Sequence, residues 1–466
     1  MAINVTYRNH IGLDSSQHTN SPEQTSASSV KNLVPGRVAG DYVKRDGSKA
    51  FSISGGIWGI CGYKQQTLTS DVLSETIIRV RVDNGNIYVE KQSLTSDTFT
   101  EITQSANISA SVGIDAVWSF DQFDGMLAIG ANRVCKILDI DSGEVTRVGG
   151  SGPTTAPAVV AGGAGSLTGT FSYVYTFYDS TTGWESAMSD SASVTVTGKD
   201  VAVSDLETAT DRSGVDKKRI YRTIDSGATY LFQSEIDIAT TSFTDSTADS
   251  ALGEAIDFEV GEHAPPPDGA YVIKFWQNRL WVAVGNILYY SDAYAGHLHE
   301  LEYFNPLTRY FTFPQRITGL YPSLDYGKLL VFTPPGVGIY QIIPYADGSF
   351  SQDEFLPKEG TKFCHSISSN GHQMTWWGAG FPRLLTTGGL VTGYERRIAN
   401  YVRPIVATPY DSDVYVWSEW SPSLNQFLYG ITNLQDIGVE WVDSETGQPI
   451  LWEDSVTGDI ISWEVP

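Results

Sequence analysis

Hydrophobic and polar residues alternate along this chain in short bursts, and the bursts come in pairs. Residues Gln277–Asp292 read QNRLWVAVGNILYYSD, two apolar runs about a Gly-Asn turn. Asp124–Asp139 (DGMLAIGANRVCKILD) has the same layout, and Tyr326–Ile342 (YGKLLVFTPPGVGIYQI) repeats it about a Pro-Pro-Gly corner. A further pair, IIRVRVDNGNIYVEKQ over Ile77–Gln92, turns at Asp83-Asn84-Gly85-Asn86. Two runs of about five residues joined by a tight turn are the local form of a β-hairpin. Hairpins recurring over several hundred residues predict sheets or blades built from one repeated unit. Long charged amphipathic helices have no counterpart in the pattern.

The pattern divides the chain. Residues 1–50 read as an extended N-terminal arm, with Ser, Thr, Gln and Asn concentrated over Ser15–Ser29. Residues 51–150 read as the first part of a β-propeller. A Gly/Ala/Pro-rich stretch, Gly149–Gly165, reads as a linker. Alternating runs follow at TGTFSYVYTFYD, SASVTVTG, KKRIYRTIDS and ATYLFQSEI. Seven or so strands over about 100 residues fit a fibronectin type III-like β-sandwich inserted at 151–265. It ends at Ala264-Pro265-Pro266-Pro267-Asp268-Gly269, and hairpins resume over 266–433 as the second part of the propeller. The expected fold is therefore all-β, a propeller of five to seven blades carrying an inserted sandwich.

Residues 434–466 carry a true repeat. WVDSETGQPIL (Trp441–Leu451) is followed by WEDSVTGDIIS (Trp452–Ser462), and Trp463 opens a third copy. Asp-Ser-x-Thr-Gly is turn chemistry, since Asp and Ser bond nearby backbone N–H groups and Gly supplies positive φ. A β-meander with stacked tryptophans is the expected product, and a sugar-binding Trp platform is the competing one.

Composition agrees with the all-β reading: 12% aromatic, 18% charged, 45 Gly and 20 Pro. Net charge is −24, from 30 Lys and Arg against 54 Asp and Glu, and no Lys or Arg follows Arg403. So acidic a chain is a poor phosphate gripper, because affinity for nucleic acid rests on cationic side chains. Solubility is the plain reading of the charge, and a surface that repels DNA is the sharper one. Cys61, Cys135 and Cys364 are isolated, with no disulfide or metal spacing, and are expected as buried thiols. Residues 1–30 have no apolar core of a secretory signal, and no apolar stretch approaches the ~20 residues of a membrane helix.

Reactive motifs are missing. There is no G-x-x-x-x-G-K-[ST], H-E-x-x-H or G-x-S-x-G. Asp139-Ile140-Asp141-Ser142-Gly143-Glu144 lacks the later positions of a calcium loop and reads as an acidic turn. His297 and His299 beside Glu300 lack a third ligand of matching geometry and read as part of a polar loop. Lys217-Lys218-Arg219 with Arg222 is the densest basic cluster, expected as a solvated strand face, with a docking patch for an acidic partner as the alternative. No catalytic, cofactor-binding or metal-binding residue is assigned, and no cofactor is expected.

Four stretches resemble the tail nozzle proteins of short-tailed bacteriophages, β-propeller virion components also described as tail-tube or DNA-stabilisation proteins. They are Asn32-Leu33-Val34-Pro35 with Gly40 and Arg45-Asp46-Gly47; Arg219-Ile220-Tyr221-Arg222-Thr223 with Tyr230-Leu231-Phe232, Phe243-Thr244-Asp245 and Leu252-Gly253; Asn278–Ala283 through Asn286 to Tyr290-Ser291-Asp292; and Ile317-Thr318-Gly319-Leu320 with Leu330–Thr333 and Gly338-Ile339-Tyr340. Together they span most of residues 30–345, and the C-terminal Trp repeat has no place in them. The resemblance implies a non-enzymatic homohexameric ring in the virion tail, made in the bacterial host cytoplasm. Its implied partners are a portal-adaptor ring, tail fibres or tailspikes, and a plug or needle, with double-stranded DNA passing through without specific binding. A carbohydrate-binding or polysaccharide-cleaving β-propeller is the alternative, marked by carboxylates converging in a central channel. A cell-surface adhesion protein is a third reading, disfavoured by the missing signal and disulfides.

Overall fold

The computed structural model describes residues 102, 119–131, 133–138, 144–208 and 210–390, together with the strands assigned elsewhere in the chain. It divides into two compact units, one of Ser48–Glu359 and one combining Met1–Gly47 with Gly360–Pro466. The protein is all-β: the described residues contain no α-helix, only 3-10 turns at Asp249–Ala251, Leu298–Glu302 and Cys364–Ser366.

Ser48–Glu359 holds four sheets of one form, each of four antiparallel strands. The first runs Gly56–Gln66, Leu73–Asp83, Asn86–Ser93 and Thr100–Glu101, and the second Ser119–Phe123, Met126–Ala131, Arg133–Ile137 and Thr146–Arg147. The third is Ala270–Trp276, Arg279–Val284, Ile287–Tyr290 and Tyr310–Thr312, and the fourth Gly319–Pro322, Leu329–Phe332, Gly338–Pro344 and Phe350–Pro357. Each strand pairs with the one before it, so every sheet is a meander. All four hairpins expected from the hydrophobic pattern are present.

The turns follow from local chemistry. Asp124 and Gly125 have φ of 44° and 81°, and Gln277 and Asn278 have 50° and 54°. Two left-handed residues in a row make the turn whose twist matches that of the flanking strands. Register is then fixed by burial. Met126, Ala128 and Val134 of the second sheet share one core with Ile273, Phe275, Leu280 and Val282 of the third. A one-residue slip would turn every one of them to the opposite face.

First strands of successive sheets stand side by side. Gly56–Gln66 lies beside Ser119–Phe123, that strand beside Ala270–Trp276, and that one beside Gly319–Pro322. Polar side chains stitch the second pair. The Ser119 hydroxyl donates to the Tyr271 carbonyl at 2.5 Å and accepts from the Ile273 N–H at 2.9 Å. Asp121 accepts from the Phe275 N–H at 2.6 Å and from Lys274 at 2.9 Å. Gly130 is required here, since a Cβ would sit 2.8 Å from the Tyr271 carbonyl oxygen.

Between the second and third sheets the chain forms a five-stranded sheet. Its spatial order is Leu231–Asp237, Lys217–Arg222, Ala158–Tyr178, Ala192–Ser204, Phe243–Asp245. The pattern predicted seven or so strands in two sheets; five strands are hydrogen-bonded in one continuous sheet instead. The register slips between Ala161 and Leu167, bending the sheet so that Val201 and Val203 face the same core as Phe171, Tyr173 and Tyr175. The bulge also corrects the linker reading of Gly149–Gly165. Its second half belongs to Ala158–Tyr178, and its glycines serve close approach: a Cβ on Gly165 would lie 1.9 Å from Asp200 Oδ1. Composition that looked like a spacer is the inside of a bend.

In the other unit, Ser368–Ser369, Gln373–Trp377, Pro382–Thr386 and Gly389–Leu390 form a further four-stranded meander. Val414–Ser421 pairs with Gln426–Asn433 as a hairpin, and Trp377 packs with Val416 and edge-on to Tyr429. The unit boundary at Gly360 falls inside the 266–433 stretch. The N-terminal arm, apart from four short strands, and the Trp repeat of 434–466 lie outside the described residues.

Candidate functional site

The basic cluster singled out in the sequence is split across its strand: Lys218 and Arg222 turn inward, which corrects the solvated-face reading for those two, while Lys217 and Arg219 stay partly exposed on the other face. Lys218 and Arg222 flank Ile220 at alternate positions of one strand, and both are 0% exposed. Arg222 holds Asp245 at 2.9 Å and Asp249 at 2.8 Å, with its guanidinium 4.6 Å from the Phe171 ring centre. Asp245 also accepts from Tyr173 at 2.7 Å and Gln233 at 3.0 Å. Lys218 donates to the Thr240 carbonyl at 2.6 Å, and burial pushes its ammonium down to about 8. Arg219 lies on the Tyr178 ring and pairs with Glu185 and Glu235. Lys217, on the same face as Arg219, lies 4.0 Å from Asp237.

The densest constellation lies where the five-stranded sheet meets the second and third sheets, and no motif announced it. Glu302 ends the 3-10 turn Leu298–Glu302 and is 3% exposed. It accepts from Lys136 of the second sheet, from Arg212 at 3.3 and 3.5 Å, and from the Gly149 N–H at 2.9 Å. Arg212 reaches on to Asp179 at 2.8 Å and covers Trp184, with 4.4 Å to the ring centre. Asp179 in turn accepts from Thr181 and Thr182. Two cations and two anions thus form a buried chain with its charge balanced.

Burial alone would raise the Glu302 and Asp179 carboxyls. Lys136 and Arg212 outweigh it at Glu302, and Arg212 with the Thr181 and Thr182 donors outweighs it at Asp179, so both stay below the usual carboxylate range. Burial pushes the Lys136 ammonium down, with Glu302 only partly restoring it.

Two further links flank this chain. Arg147 of the second sheet pairs with Asp211, which also accepts from the Ser151 N–H and hydroxyl, both at 2.8 Å. Glu185 of the five-stranded region accepts from Thr176 at 2.7 Å, Tyr221 at 2.6 Å and Arg219 at 2.9 Å, while its N–H donates to the Tyr303 hydroxyl at 2.9 Å. Every carboxylate here is engaged by several protein donors. Chemically, the arrangement clamps chain segments together.

Other sequence candidates are placed as follows. His297 and His299 have rings 5.3 Å apart at the 3-10 turn Leu298–Glu302, in keeping with the polar-loop reading. No group of three or more His, Cys, Asp or Glu suited to a metal occurs among the described residues. Cys135 is buried, and burial pushes its thiol up to about 12, while Cys364 is half-buried. Residues 139–143 of the acidic turn lie outside the described residues. No helix among the described residues is long and apolar enough to cross a membrane.

No family model and no curated protein matches the sequence. Among solved structures, a protein from Lactobacillus plantarum is similar at 12% identity and a TM-score of 0.28, over 70% of this chain and 89% of that one. A functionally unknown protein from Desulfotomaculum acetoxidans aligns at 10% identity and a TM-score of 0.21, over 69% and 93% of the two chains. A puromycin-hydrolyzing peptidase from Mycobacterium tuberculosis aligns at 8% and 0.24, over 71% and 44%. Similarity at this level carries no statement about activity.

Proposed function

We propose that this chain is a structural virion protein, one subunit of the tail nozzle ring of a short-tailed bacteriophage, with no catalytic role. The observation that carries this reading is where the polar residues of the resembling stretches go. Arg222 and Asp245, from two parts of one stretch, meet as a fully buried ion pair. Tyr221 and Arg219 grip Glu185, Asn278 forms a hairpin turn, and the Gly338 carbonyl accepts from Thr333. The shared residues build the scaffold, as expected where likeness concerns architecture rather than a reaction.

The finer fold belongs to the same proposal. Meanders whose first strands stand side by side are the arrangement of β-propeller blades around an axis. The five-stranded sheet is then a module carried between two blades. Copies associate as a homohexamer beneath the portal-adaptor ring, with fibres or tailspikes and a plug or needle docked on it. Duplex DNA passes through the enclosed channel, repelled by the chain's net charge of −24.

Native mass measurement of the full-length protein, alone and mixed with a portal-adaptor protein, tests this reading. Six copies on one adaptor ring are expected. A monomer that persists beside the adaptor overturns it.

A further inference from the structure

Beyond any role in a virion, and independent of it, we infer that His263 is a pH-sensitive latch between the five-stranded sheet and the third four-stranded sheet, shut while its ring is neutral. The residue sits where the chain returns from one to the other. Its φ is +59°, two residues after Gly261 at +89° and directly before Ala264-Pro265-Pro266-Pro267. On the far side, Ala264 and Phe304 exchange both backbone hydrogen bonds, at 3.0 and 2.9 Å.

The ring is sandwiched. It lies 3.6 Å from Tyr303, centre to centre, at 4° to that plane, and 3.9 Å from Phe258 at 26°. Nδ1 is 3.0 Å from the Glu185 carbonyl oxygen, so in the neutral ring the proton sits on Nδ1 and is donated to it. Tyr303 accepts from the Glu185 N–H, so one histidine, one tyrosine and one backbone segment close a loop between the two elements.

The charges around the latch decide its direction. Glu262 adjoins it but is held by Arg309 at 2.8 Å, and Arg309 also binds Asp292. His299 meets the edge of Tyr303 at 5.6 Å. On the five-stranded side, the Glu185 carboxylate is neutralised by Arg219. On the third-sheet side, Glu302 is committed to Lys136 and Arg212. A proton on His263 therefore arrives in a covered stack with no free anion.

Two effects oppose each other there. Aromatic faces attract a cation. Loss of water disfavours the charged ring, and burial holds His263 down to about 4, against the weaker pull of the Glu185 carbonyl and Glu262. The sign follows from proton counting. The opened segment has the ordinary value of 6.5 and binds the proton first. The latch's stability is complete above that value and drains away as pH falls towards 4.

Hydrogen exchange at the Ala264 and Glu185 amides of the full-length protein reads the latch, after correction for the intrinsic pH dependence of exchange. Between pH 7.5 and pH 5 the opening constant should rise about 25-fold. His263→Phe keeps the stack without the titrating proton and should abolish that rise, whereas His299→Gln should keep it. Overturning results are a wild-type opening constant independent of pH, one that falls in acid because the rings hold an imidazolium, or a rise that persists in His263→Phe. Selective labelling of the imidazoles covers the case of a variant that fails to fold. A His263 ring in the wild type that titrates at or above 6.5 ends the proposal, and one near 4 supports it.

Discussion

Glu302 makes the sharpest prediction at the scale of one residue. Glu302→Gln keeps the shape and removes the charge, leaving Lys136 without its carboxylate and Arg212 with Asp179 alone. Breaking a buried ion pair from one side destabilises by about 3–5 kcal/mol, which a urea midpoint will register. The same carboxylate sets an acid limit. Its folded value is depressed, so its stabilisation is present above the ordinary 4.5 and lost as pH falls below it. Lys218 makes a prediction of opposite setting. Its ammonium is depressed to about 8 in the fold, so wild-type stability rises as pH climbs from there towards 10.5. Lys218→Met should lose that rise and equal or exceed the wild type at pH 7, as read by thermal midpoints across the range. The expectation of a solvated face for the Lys217–Arg222 cluster misses a signal that the sequence carries: Lys218, Ile220 and Arg222 share one face of an alternating strand, and the apolar middle residue goes inward with both cations. The partners of Arg222 were not legible, since Asp245 and Asp249 lie across a turn and another strand. Likewise nothing local to Lys136, Asp179, Arg212 or Glu302 signals that they meet.

At the scale of elements, hairpins were readable because alternation and turn chemistry are both local. At the Gly285-Asn286 turn of the Gln277–Asp292 hairpin, Gly285 has a φ of 57°, which a residue without a Cβ adopts freely. The curl of the five-stranded sheet was not readable. A bulge at Gly162–Gly165 has the composition of a linker, and only the opposing Asp200 shows that the glycines are pressed against another strand. Glycine therefore gives an element-scale test. Gly130→Ala drives a methyl group into the Tyr271 carbonyl and should separate the second and third sheets, at about 1–3 kcal/mol. Gly163→Ala, with nothing within 4 Å of its new Cβ, should stay within about 0.5 kcal/mol of the wild type. Equal denaturation midpoints for the two variants would contradict the packing described between those sheets. Ser119→Ala should fall between them, because it strands the Ile273 N–H.

For the whole molecule, the proposal turns on the hole that copies of the chain enclose. A net charge of −24 per copy predicts that the assembled protein does not retain duplex DNA in a filter or gel assay at either 50 or 200 mM salt. Salt-sensitive retention would instead mean a basic channel wall. Neither the stoichiometry nor the enclosing surface could be read from hydrophobic periodicity, which reports the inside of a subunit and not what its outer faces meet. The most direct measurement is single-particle electron microscopy of the full-length protein bound to a portal-adaptor ring. The account predicts a six-fold ring with an open centre wider than the roughly 20 Å of a DNA duplex. Isolated subunits scattered beside unoccupied adaptor rings would contradict it.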